Sequence, residues 1–331
     1  MRAVVQERYG APEKVLEIKE VDRPTPGPGE VLVRIRSTSV NTPDWVGVTG
    51  VPYIIRLQGG LRPKGAIRGS DIAGVVEDAG IDVDDLRAGD EVLGSLWTNK
   101  QVTAGTFAEY TLAPAGQLIK KPAALSFEDA AASGMSALTA LIAIRDVARV
   151  QPGARVLING ASGGVGTFAV QLAKHYGADV TGVCGPANVD LVRGLGADHV
   201  IDYTRSDFTA GTERYDAILD NVMNHPPSRT ARVLAPGGVL MPSSVGNSGG
   251  MTAGLGRMAR AALLGLFRRA DVRFVQGEYN QERLTVIAGL LESGELRAVI
   301  DHVYSFEETP KAVDHMLSHH ARGNIVITMQ P

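Results

Sequence analysis

Cysteine is almost absent from this chain of 331 residues, which contains Cys184 and no other. A single cysteine cannot form an intrachain disulfide, and it excludes a structural zinc site built from several thiolates. Charged residues make up 21% of the chain, and the formal net charge is −3. This balance gives no bulk attraction to nucleic acid or to an anionic membrane surface, so neither is an expected partner.

Long apolar runs are also missing. The sequence shows no stretch with the roughly 18 uncharged apolar residues of a membrane span, and its best candidate, Met251 to Phe267, is interrupted by Arg257 and Arg260. The chain enters a strand-like pattern at once, without the apolar region of a signal peptide. We therefore expect a cytoplasmic protein without a membrane span, and its length is sufficient for two domains.

A glycine-rich turn is the most informative feature that is present. It lies between an apolar run, residues 155–159, and a helix-forming stretch, Thr167 to Tyr176. This order is typical of a dinucleotide-binding site, because glycine lets the backbone approach a pyrophosphate and the helix N-terminus offers free N–H groups. The usual first glycine is replaced by an alanine. The predicted cofactor-binding residues of the turn are Ala161, Ser162, Gly163, Gly164, Val165 and Gly166.

Two types of secondary-structure pattern divide the chain. The first third predicts short strands separated by turns, as in a β-rich barrel-like unit, at residues 2–5, 13–20, 30–37, 71–77, 91–96, 106–111 and 117–120. A helix is predicted over residues 126–149, and strands and helices then alternate. The predicted strands are 155–159, 179–183, 199–201, 216–220, 239–242 and 272–275, and the helices are 165–176, 188–195 and 226–234. This alternation predicts a doubly wound α/β domain with a parallel sheet.

Several motifs occur in the order typical of one superfamily. They are Pro26 to Val33, Gly69 to Val76, Ala88 to Val92, Gly105 to Tyr110, the glycine turn, Gly194 to Tyr203 and Gly323 to Ile327. The chain resembles the medium-chain dehydrogenase/reductase superfamily and, within it, the zinc-free quinone oxidoreductase group related to zeta-crystallin. The resemblance implies a GroES-like catalytic domain at 1–122, completed by 278–331, and a Rossmann domain at 123–277. It also implies a homodimer, with substrate and nicotinamide between the domains.

The zinc ligands of the alcohol dehydrogenases in this superfamily are replaced here by residues of other types. Asn41 stands at the first ligand position, and Gly69-Ser70-Asp71 stands where those enzymes have Gly-His-Glu. Catalytic zinc needs thiolate and imidazole ligands at such positions, so we expect no metal. His315 and His319 share a helix face and His320 follows, but no glutamate lies between them in a metalloprotease pattern. A solvated terminal helix is the expected interpretation.

The second strand of the predicted Rossmann domain bears on the choice of cofactor. An NAD site usually ends this strand with an acidic residue that binds the ribose hydroxyls, whereas here Cys184-Gly185-Pro186-Ala187-Asn188 follows it. NADPH is therefore favoured over NADH, although relatives often carry a lysine or arginine near Ala187. The candidate residues for this end of the cofactor are Gly185, Asn188, Arg193 and Tyr203, with Arg205 as a further donor.

Three residues near the lost zinc position are candidates for catalysis, namely Asn41, Asp44 and Tyr53. Asn41 could orient a water or the nicotinamide ribose, and Tyr53 could donate to a substrate carbonyl; a turn asparagine and a loop tyrosine are the structural alternatives. Further candidates to contact the nicotinamide are Thr139, Val245 and Asn324, with Thr139 equally explained as an ordinary helix threonine. The segment Met251 to Arg269 predicts a core or dimer-packing helix, with a lid or a membrane-surface helix as alternatives.

Three functions are consistent with this sequence. A hydride acceptor that spreads negative charge, such as a quinone or an α,β-unsaturated carbonyl, needs no Lewis acid and is favoured as the substrate of an NADPH-dependent reductase. NAD(P)-dependent alcohol dehydrogenase activity is the first alternative. A non-catalytic NADPH-binding protein with a structural or regulatory role is the second, because fold alone does not decide function.

Overall fold

The computed structural model describes residues 1–53, 56, 62–63, 66–97, 105–244, 254–266, 270–318 and 321–329. The chain forms two compact units. The first comprises Met1–Leu138 and Glu278–Pro331, and the second comprises Thr139–Gly277. The division falls inside a helix, so that Thr139 belongs to the second unit.

The described strands, in chain order, are β1 (Arg2–Gln6), β2 (Leu16–Glu20), β3 (Glu30–Val40), β4 (Asp71–Ala79), β5 (Glu91–Ser95), β6 (Tyr110–Pro114), β7 (Leu118–Lys120), β8 (Arg155–Asn159), β9 (Asp179–Cys184), β10 (His199–Asp202), β11 (Tyr215–Asp220), β12 (Leu234–Pro242), β13 (Asp271–Val272), β14 (Ile300–Ser305) and β15 (Asn324–Thr328). The described α-helices are α1 (Pro12–Val15), α2 (Thr42–Thr49), α3 (Phe127–Leu141), α4 (Gly164–His175), α5 (Val189–Gly194), α6 (Pro227–Thr230), α7 (Leu255–Leu266), α8 (Gln281–Glu292) and α9 (Thr309–Leu317).

The first unit is built on a mixed sheet with the order β14-β15-β3-β4-β5-β7, and β6 also pairs with β3. β1 and β2 form a separate antiparallel pair. The long strand β3 is central, because it pairs with β15, β4 and β6. Its apolar residues Val31, Val33 and Ile35 are buried, as expected for a strand with neighbours on both sides.

The second unit contains a six-stranded parallel sheet with the order β10-β9-β8-β11-β12-β13. Each described strand pairing in it is parallel. The strand order reverses between β8 and β11, which is the switch point where ligands bind in folds of this type. The buried residues Leu157, Ile218 and Leu240 carry the sheet's core. This is the α/β architecture that the sequence predicted.

Several predicted elements need correction. Residues 13–15 belong to the one-turn helix α1, because Pro12 occupies its first turn and favours a helix start. The strand predicted at 106–111 begins at Tyr110, since the preceding N–H groups of Thr106 and Phe107 bond to residues 69 and 68. The helix predicted at 226–234 is the single turn α6 followed by a 3-10 turn, and β12 then starts at Leu234.

The helix Phe127–Val147 is long and apolar enough, by length and composition, to span a membrane. It consists of α3 and a wider π-helical continuation, Ile142–Val147. However, 78% of its most apolar window is buried inside the protein, as in the core helix of a globular unit.

The sequence interpretation had instead identified Met251 to Phe267 as the best candidate. In the described part of that segment, α7, Ala261 is buried whereas Leu263 and Leu266 are 50% and 74% exposed. The core alternative is therefore wrong for α7.

Candidate active site

The glycine turn lies directly after β8 and leads into α4. Gly160 has a φ of 82°, a left-handed conformation that favours glycine. Gly166 is required for another reason, because a Cβ at this position would lie 2.0 Å from the Gly160 carbonyl oxygen and 2.8 Å from the Cα of Ala161. The turn therefore closes tightly on the first turn of the helix, in the manner of a phosphate-binding loop.

Ala161 replaces the first glycine of the usual pattern, and the structure shows what accommodates its methyl group. Ala161 is fully buried. Gly182, on the neighbouring strand β9, has no side chain, and a Cβ built there would lie 3.1 Å from the Cβ of Ala161. The glycine on β9 thus leaves the space that the alanine fills, so the turn keeps its backbone course despite the substitution.

The N-terminus of α4 is suited to an anion. Its N-cap is Gly163, which has no side chain to accept the N–H groups of the first turn. A Cβ on Gly163 would meet, among the described residues, only the Gly160 carbonyl oxygen at 3.6 Å, so space in front of the turn is open. Free N–H groups and the positive end of the helix dipole in such a position bind phosphate. The glycine turn and the N-terminus of α4, together called the cradle below, therefore fit the diphosphate of a dinucleotide.

Two pairs of predicted cofactor-binding residues meet beside this cradle. The Asn188 Nδ2 donates to the Ser162 Oγ at 3.2 Å. The Tyr203 hydroxyl lies over Gly185, where a Cβ would be 3.1 Å from it, and the Tyr203 N–H donates to the Cys184 carbonyl. Gly185 and Asn188 follow the carboxyl end of β9 and Tyr203 follows that of β10, on the side of the sheet where an adenosine binds in Rossmann folds.

No acidic side chain occupies the end of β9. The strand ends at Cys184, whose thiol is buried, and burial raises its pKa to about 11, so the group stays neutral. Ala187 and Arg205 are exposed. Arg193 contacts Asp190 across 3.8 Å on the exposed face of α5, so the structure does not join it to the two pairs above.

A polar network that sequence reasoning missed lies at the carboxyl ends of β8 and β11. The Asn159 Nδ2 donates to the Asp220 Oδ1 at 2.8 Å and to the Asn224 Oδ1 at 3.0 Å. The same Asp220 oxygen accepts the N–H groups of Val222 and Met223. Burial raises the pKa of Asp220, while these hydrogen bonds oppose the shift. The network fixes the backbone at the switch point of the sheet.

Asn221 lies within this network without joining it through its side chain. Its Nδ2 and Oδ1 are both buried, and neither has a hydrogen-bond partner among the described residues. A buried polar group left unpaired costs about 1–3 kcal/mol. An orphaned amide beside the glycine turn is what a site for an absent polar ligand would contain, so this observation also fits a dinucleotide. In the sequence, the only indication that Asn221 could belong to the site was its position directly after the predicted strand 216–220.

In the first unit, Asn41 and Asp71 form a buried pair. The Asn41 Nδ2 donates to the Asp71 Oδ2 at 2.8 Å and to the Ser39 Oγ at 3.0 Å. Asp71 also accepts the Ser39 hydroxyl and, through Oδ1, the Met135 N–H. Burial raises the pKa of Asp71 to about 6, against the lowering effect of these bonds. Asp71, identified in the sequence only as a non-ligand, is thus the acceptor that orients Asn41.

Asp44 has a local structural role in the same region. It is the third residue of α2, and its Oδ2 accepts the Asn41 N–H at 2.7 Å. Its Oδ1 accepts the N–H of Gly69, which has a φ of 93°. Burial raises the pKa of Asp44 to about 7, and the hydrogen bond from Asn41 opposes the shift. Both carboxylate oxygens hold backbone groups, and the proposed catalytic role of Asp44 stays a prediction.

The residues at the superfamily's zinc position do not fit a zinc ion. They supply the amide of Asn41, the buried hydroxyl of Ser70 and the carboxylate of Asp71, which already accepts several donors. A catalytic zinc site would need thiolate or imidazole ligands. Within the described ranges, no three His, Cys, Asp or Glu side chains are grouped to hold a metal ion. His315 instead bonds to Tyr304 and Asp301, and His319 and His320 lie outside the described residues.

The remaining candidates occupy separate places. Tyr53 is 43% exposed, and the Arg56 guanidinium lies over its ring at 4.4 Å. Thr139 is half-buried in α3. Asn324 is buried at the start of β15, where its Nδ2 donates to the Val299 carbonyl at 3.3 Å. Val245 lies outside the described residues. The predicted contacts of these residues with a cofactor stay predictions.

Comparison with known proteins agrees with this architecture. Residues 27–123 match the family described as alcohol dehydrogenase GroES-like domain, and residues 195–327 match that described as zinc-binding dehydrogenase. A chloroplastic quinone oxidoreductase of Triphysaria versicolor is 31% identical over 99% of this chain and 98% of its own. A mitochondrial NAD(P)H oxidoreductase of Homo sapiens is 32% identical over 99% and 89%. The structure of the quinone oxidoreductase from Coxiella burnetii has a TM-score of 0.86 at 27% identity, covering 100% and 99% of the two chains.

The fold and the glycine turn define a dehydrogenase/reductase with a GroES-like and a Rossmann domain. The chain belongs to the quinone oxidoreductase group of the medium-chain dehydrogenase/reductase superfamily. It is an NAD(P)H-dependent oxidoreductase. The resemblance in the motifs is thereby confirmed at the level of the family.

Proposed function

We propose that the protein is a zinc-independent, NADPH-dependent reductase of quinones or α,β-unsaturated carbonyl compounds. The observation that carries this proposal is the hydrogen-bonded pair of Asn41 and Asp71 at the superfamily's zinc position. Without a Lewis acid, a simple carbonyl or alcohol is a poor partner for hydride transfer. A quinone or enone spreads the developing negative charge, so that hydrogen-bond donors are sufficient.

When bound, NADPH supplies the hydride. The N-terminus of α4 and the backbone of the glycine turn would hold its diphosphate, because their N–H groups face open space. The absence of a carboxylate at the end of β9 supports NADPH over NADH, since a carboxylate there would repel a 2′-phosphate. Ser162, Asn188 and Tyr203 are neutral groups that can donate to this phosphate.

The proton for the acceptor needs a separate source. Tyr53 is a suitable donor, because it is 43% exposed and carries a phenolic hydroxyl that can donate. The Arg56 guanidinium lies over its ring and places a positive charge beside the phenol. We propose that Tyr53 donates to the acceptor's carbonyl oxygen. The buried Asn41–Asp71 pair is held by hydrogen bonds within the first unit, and we assign it no proton-transfer step.

An acceptor panel tests the proposal. NADPH or NADH oxidation would be followed with a benzoquinone, an enone, an enal and a saturated aldehyde, and the reverse reaction with a primary alcohol. We expect turnover of the conjugated acceptors with NADPH and little turnover of the saturated aldehyde. Alcohol dehydrogenase activity is the second candidate, favoured by the family descriptions that this chain matches. Efficient reduction of the saturated aldehyde, with none of the quinone or enone, would support that candidate instead.

A further inference from the structure

Helix α7 turns apolar residues toward solvent, which is the reverse of an ordinary surface helix. Its exposed positions are Gly256, Ala259, Arg260, Ala262, Leu263 and Leu266. Leu263 is 50% exposed and Leu266 is 74% exposed. Surface helices normally place charged and polar residues outside and keep the apolar stripe for the core. The outward side of α7, called its apolar face below, is therefore a candidate interaction surface.

The opposite side of α7 is fixed on the second unit. Ala261 is fully buried. A Cβ on Gly265 would lie 3.2 Å from the Cβ of Val272, so the helix backbone runs close against the edge strand β13. The Arg257 Nη1 donates to the Met223 carbonyl, in the segment that follows β11. Turning the helix over to bury its outward leucines would break these contacts, so the apolar face stays outside.

The segment that contains α7 carries charge of one sign. The charged residues between positions 251 and 270 are Arg257, Arg260, Arg268 and Arg269, and none is acidic. Arg260 is exposed and lies three residues before Leu263, so the two are neighbours on the helix surface. Asp271, the next acidic residue, is paired with Arg273 at 2.6 Å. The whole chain has a net charge of −3, so any attraction to an anionic surface is local to this segment.

A second copy of the chain fits this face less well than a lipid surface does. In a two-fold dimer, the same surface of each copy meets its equivalent. Both copies would then bring Arg260 to the contact, and the segment has no acidic side chain to pair with it. Like charges placed together oppose association. An anionic lipid surface accepts apolar side chains below its headgroups and attracts arginine at the headgroups themselves.

We propose that α7 docks the protein on the surface of an anionic membrane, with Leu263 and Leu266 inserted among the lipid chains and Arg260 at the phosphates. The helix lies in the plane of the interface, because its 12 residues are fewer than the roughly 20 needed to cross a bilayer. Docking is peripheral and reversible, since two leucines bury far less apolar surface than a membrane-spanning helix. Membrane docking by α7 does not depend on the reaction that the protein catalyses.

Flotation with lipid vesicles tests the proposal. The whole protein would be mixed with vesicles of phosphatidylcholine and phosphatidylglycerol, or of phosphatidylcholine alone, at low and at high salt. We expect flotation with the anionic vesicles at low salt, and weaker binding at high salt and to phosphatidylcholine alone. The double variant Leu263→Ser/Leu266→Ser should lower the partition coefficient at least about tenfold. Arg260→Gln should lower it about fivefold.

Matched surface variants of the first unit are the controls. Ile81→Ser removes an apolar side chain that is 75% exposed, and Arg87→Gln removes an exposed arginine. Both variants should float as the wild type does. Every variant should keep the near-ultraviolet circular dichroism spectrum of the wild type, so that a loss of flotation reflects the surface and not unfolding.

A fluorescent label at position 266 locates the contact. Cys184 is buried and is the chain's only cysteine, so a thiol reagent labels the introduced residue in Leu266→Cys. The emission of an environment-sensitive dye there should shift to the blue with anionic vesicles, whereas the same dye in Ile81→Cys should show no shift.

Three results would overturn the inference. The first is a wild type that does not float with the anionic vesicles, and the second is flotation that the double leucine variant retains in full. The third is self-association in sedimentation, without flotation, that the double leucine variant abolishes, because the apolar face would then belong to a second copy.

Discussion

The buried carboxyl of Asp44 makes the stability of the first unit depend on pH in an unusual direction. Burial raises its pKa to about 7, from 3.8 for an exposed aspartate. A folded state that binds the proton more tightly is stabilised at low pH and loses this contribution as the pH rises through the folded pKa. The contribution of Asp44 to the free energy of unfolding therefore falls with rising pH, and it is fully lost above the folded pKa.

The change in the free energy of unfolding follows from the pKa of Asp44 in the folded state and that of an exposed aspartate. Between roughly pH 5 and pH 8, the free energy of unfolding should fall by roughly 3 kcal/mol because of Asp44 alone. Asp71, with a pKa of about 6, acts in the same direction. Carboxylates with lowered pKa, such as the half-buried Asp90, act in the opposite direction, but at pH values below this range. The Asp44 contribution is therefore measured as a difference between wild type and variant, in which the other groups cancel.

Urea unfolding of wild type and Asp44→Asn at these two pH values measures that difference. Tryptophan fluorescence is the signal, since Trp45 and Trp97, the two tryptophans of the chain, both belong to the first unit. The amide nitrogen of the introduced asparagine cannot accept the Asn41 N–H, so the variant should be less stable at the lower pH. The difference in the free energy of unfolding between wild type and variant should narrow by roughly 3 kcal/mol at the higher pH.

An exposed aspartate provides the control for this experiment. Asp85→Asn removes the same charge from the surface of the same unit. Its free energy of unfolding should change between the two pH values as that of the wild type does. The free energy of unfolding of Asp44→Asn could instead change between the two pH values by the same amount as that of the wild type. In that case the carboxyl of Asp44 is not held in a buried environment that favours its protonated form, and the account of this region is refuted.

Three further predictions concern the cofactor and the proton donor. Gly166→Ala places a methyl group 2.0 Å from the Gly160 carbonyl oxygen, so Tm should fall and the Kd for NADPH should rise at least about tenfold in calorimetric titration. Tyr53→Phe should lower kcat with a quinone about tenfold while the Kd for NADPH stays constant; an unchanged kcat would remove Tyr53 from the mechanism. Ala187→Arg should raise kcat/KM for NADPH about threefold and leave NADH unaffected, and an equal gain with both cofactors would contradict a 2′-phosphate at this position.

The order of elements could be predicted from the sequence because its signals are local. The apolar run of β8, the glycines after it and the helical pattern of α4 lie within about one βα unit. The errors arose where local signals mislead. The Pro236-Gly237-Gly238 segment suggests a turn, yet β12 runs through it, because Leu234 pairs with Tyr215 before the register shifts.

The polar networks were less predictable, since their meaning depends on partners far along the chain. Asp71 is identified as a central acceptor only when its bond to Met135, 64 residues away, is known. Asn221 differs from Asn159 in having no side-chain partner among the described residues, and the sequence does not distinguish the two. A turn residue such as Gly166 could be identified because close approach within the same turn, rather than a distant partner, requires glycine there.

Chelator resistance of quinone reduction tests the central claim most directly. The purified protein would be incubated with 1,10-phenanthroline, its zinc content measured, and kcat/KM determined with NADPH and a benzoquinone. A site formed by Asn41, Ser70 and Asp71 should give unchanged kcat/KM without bound zinc. Activity that disappears with the chelator and returns with added zinc would contradict the account.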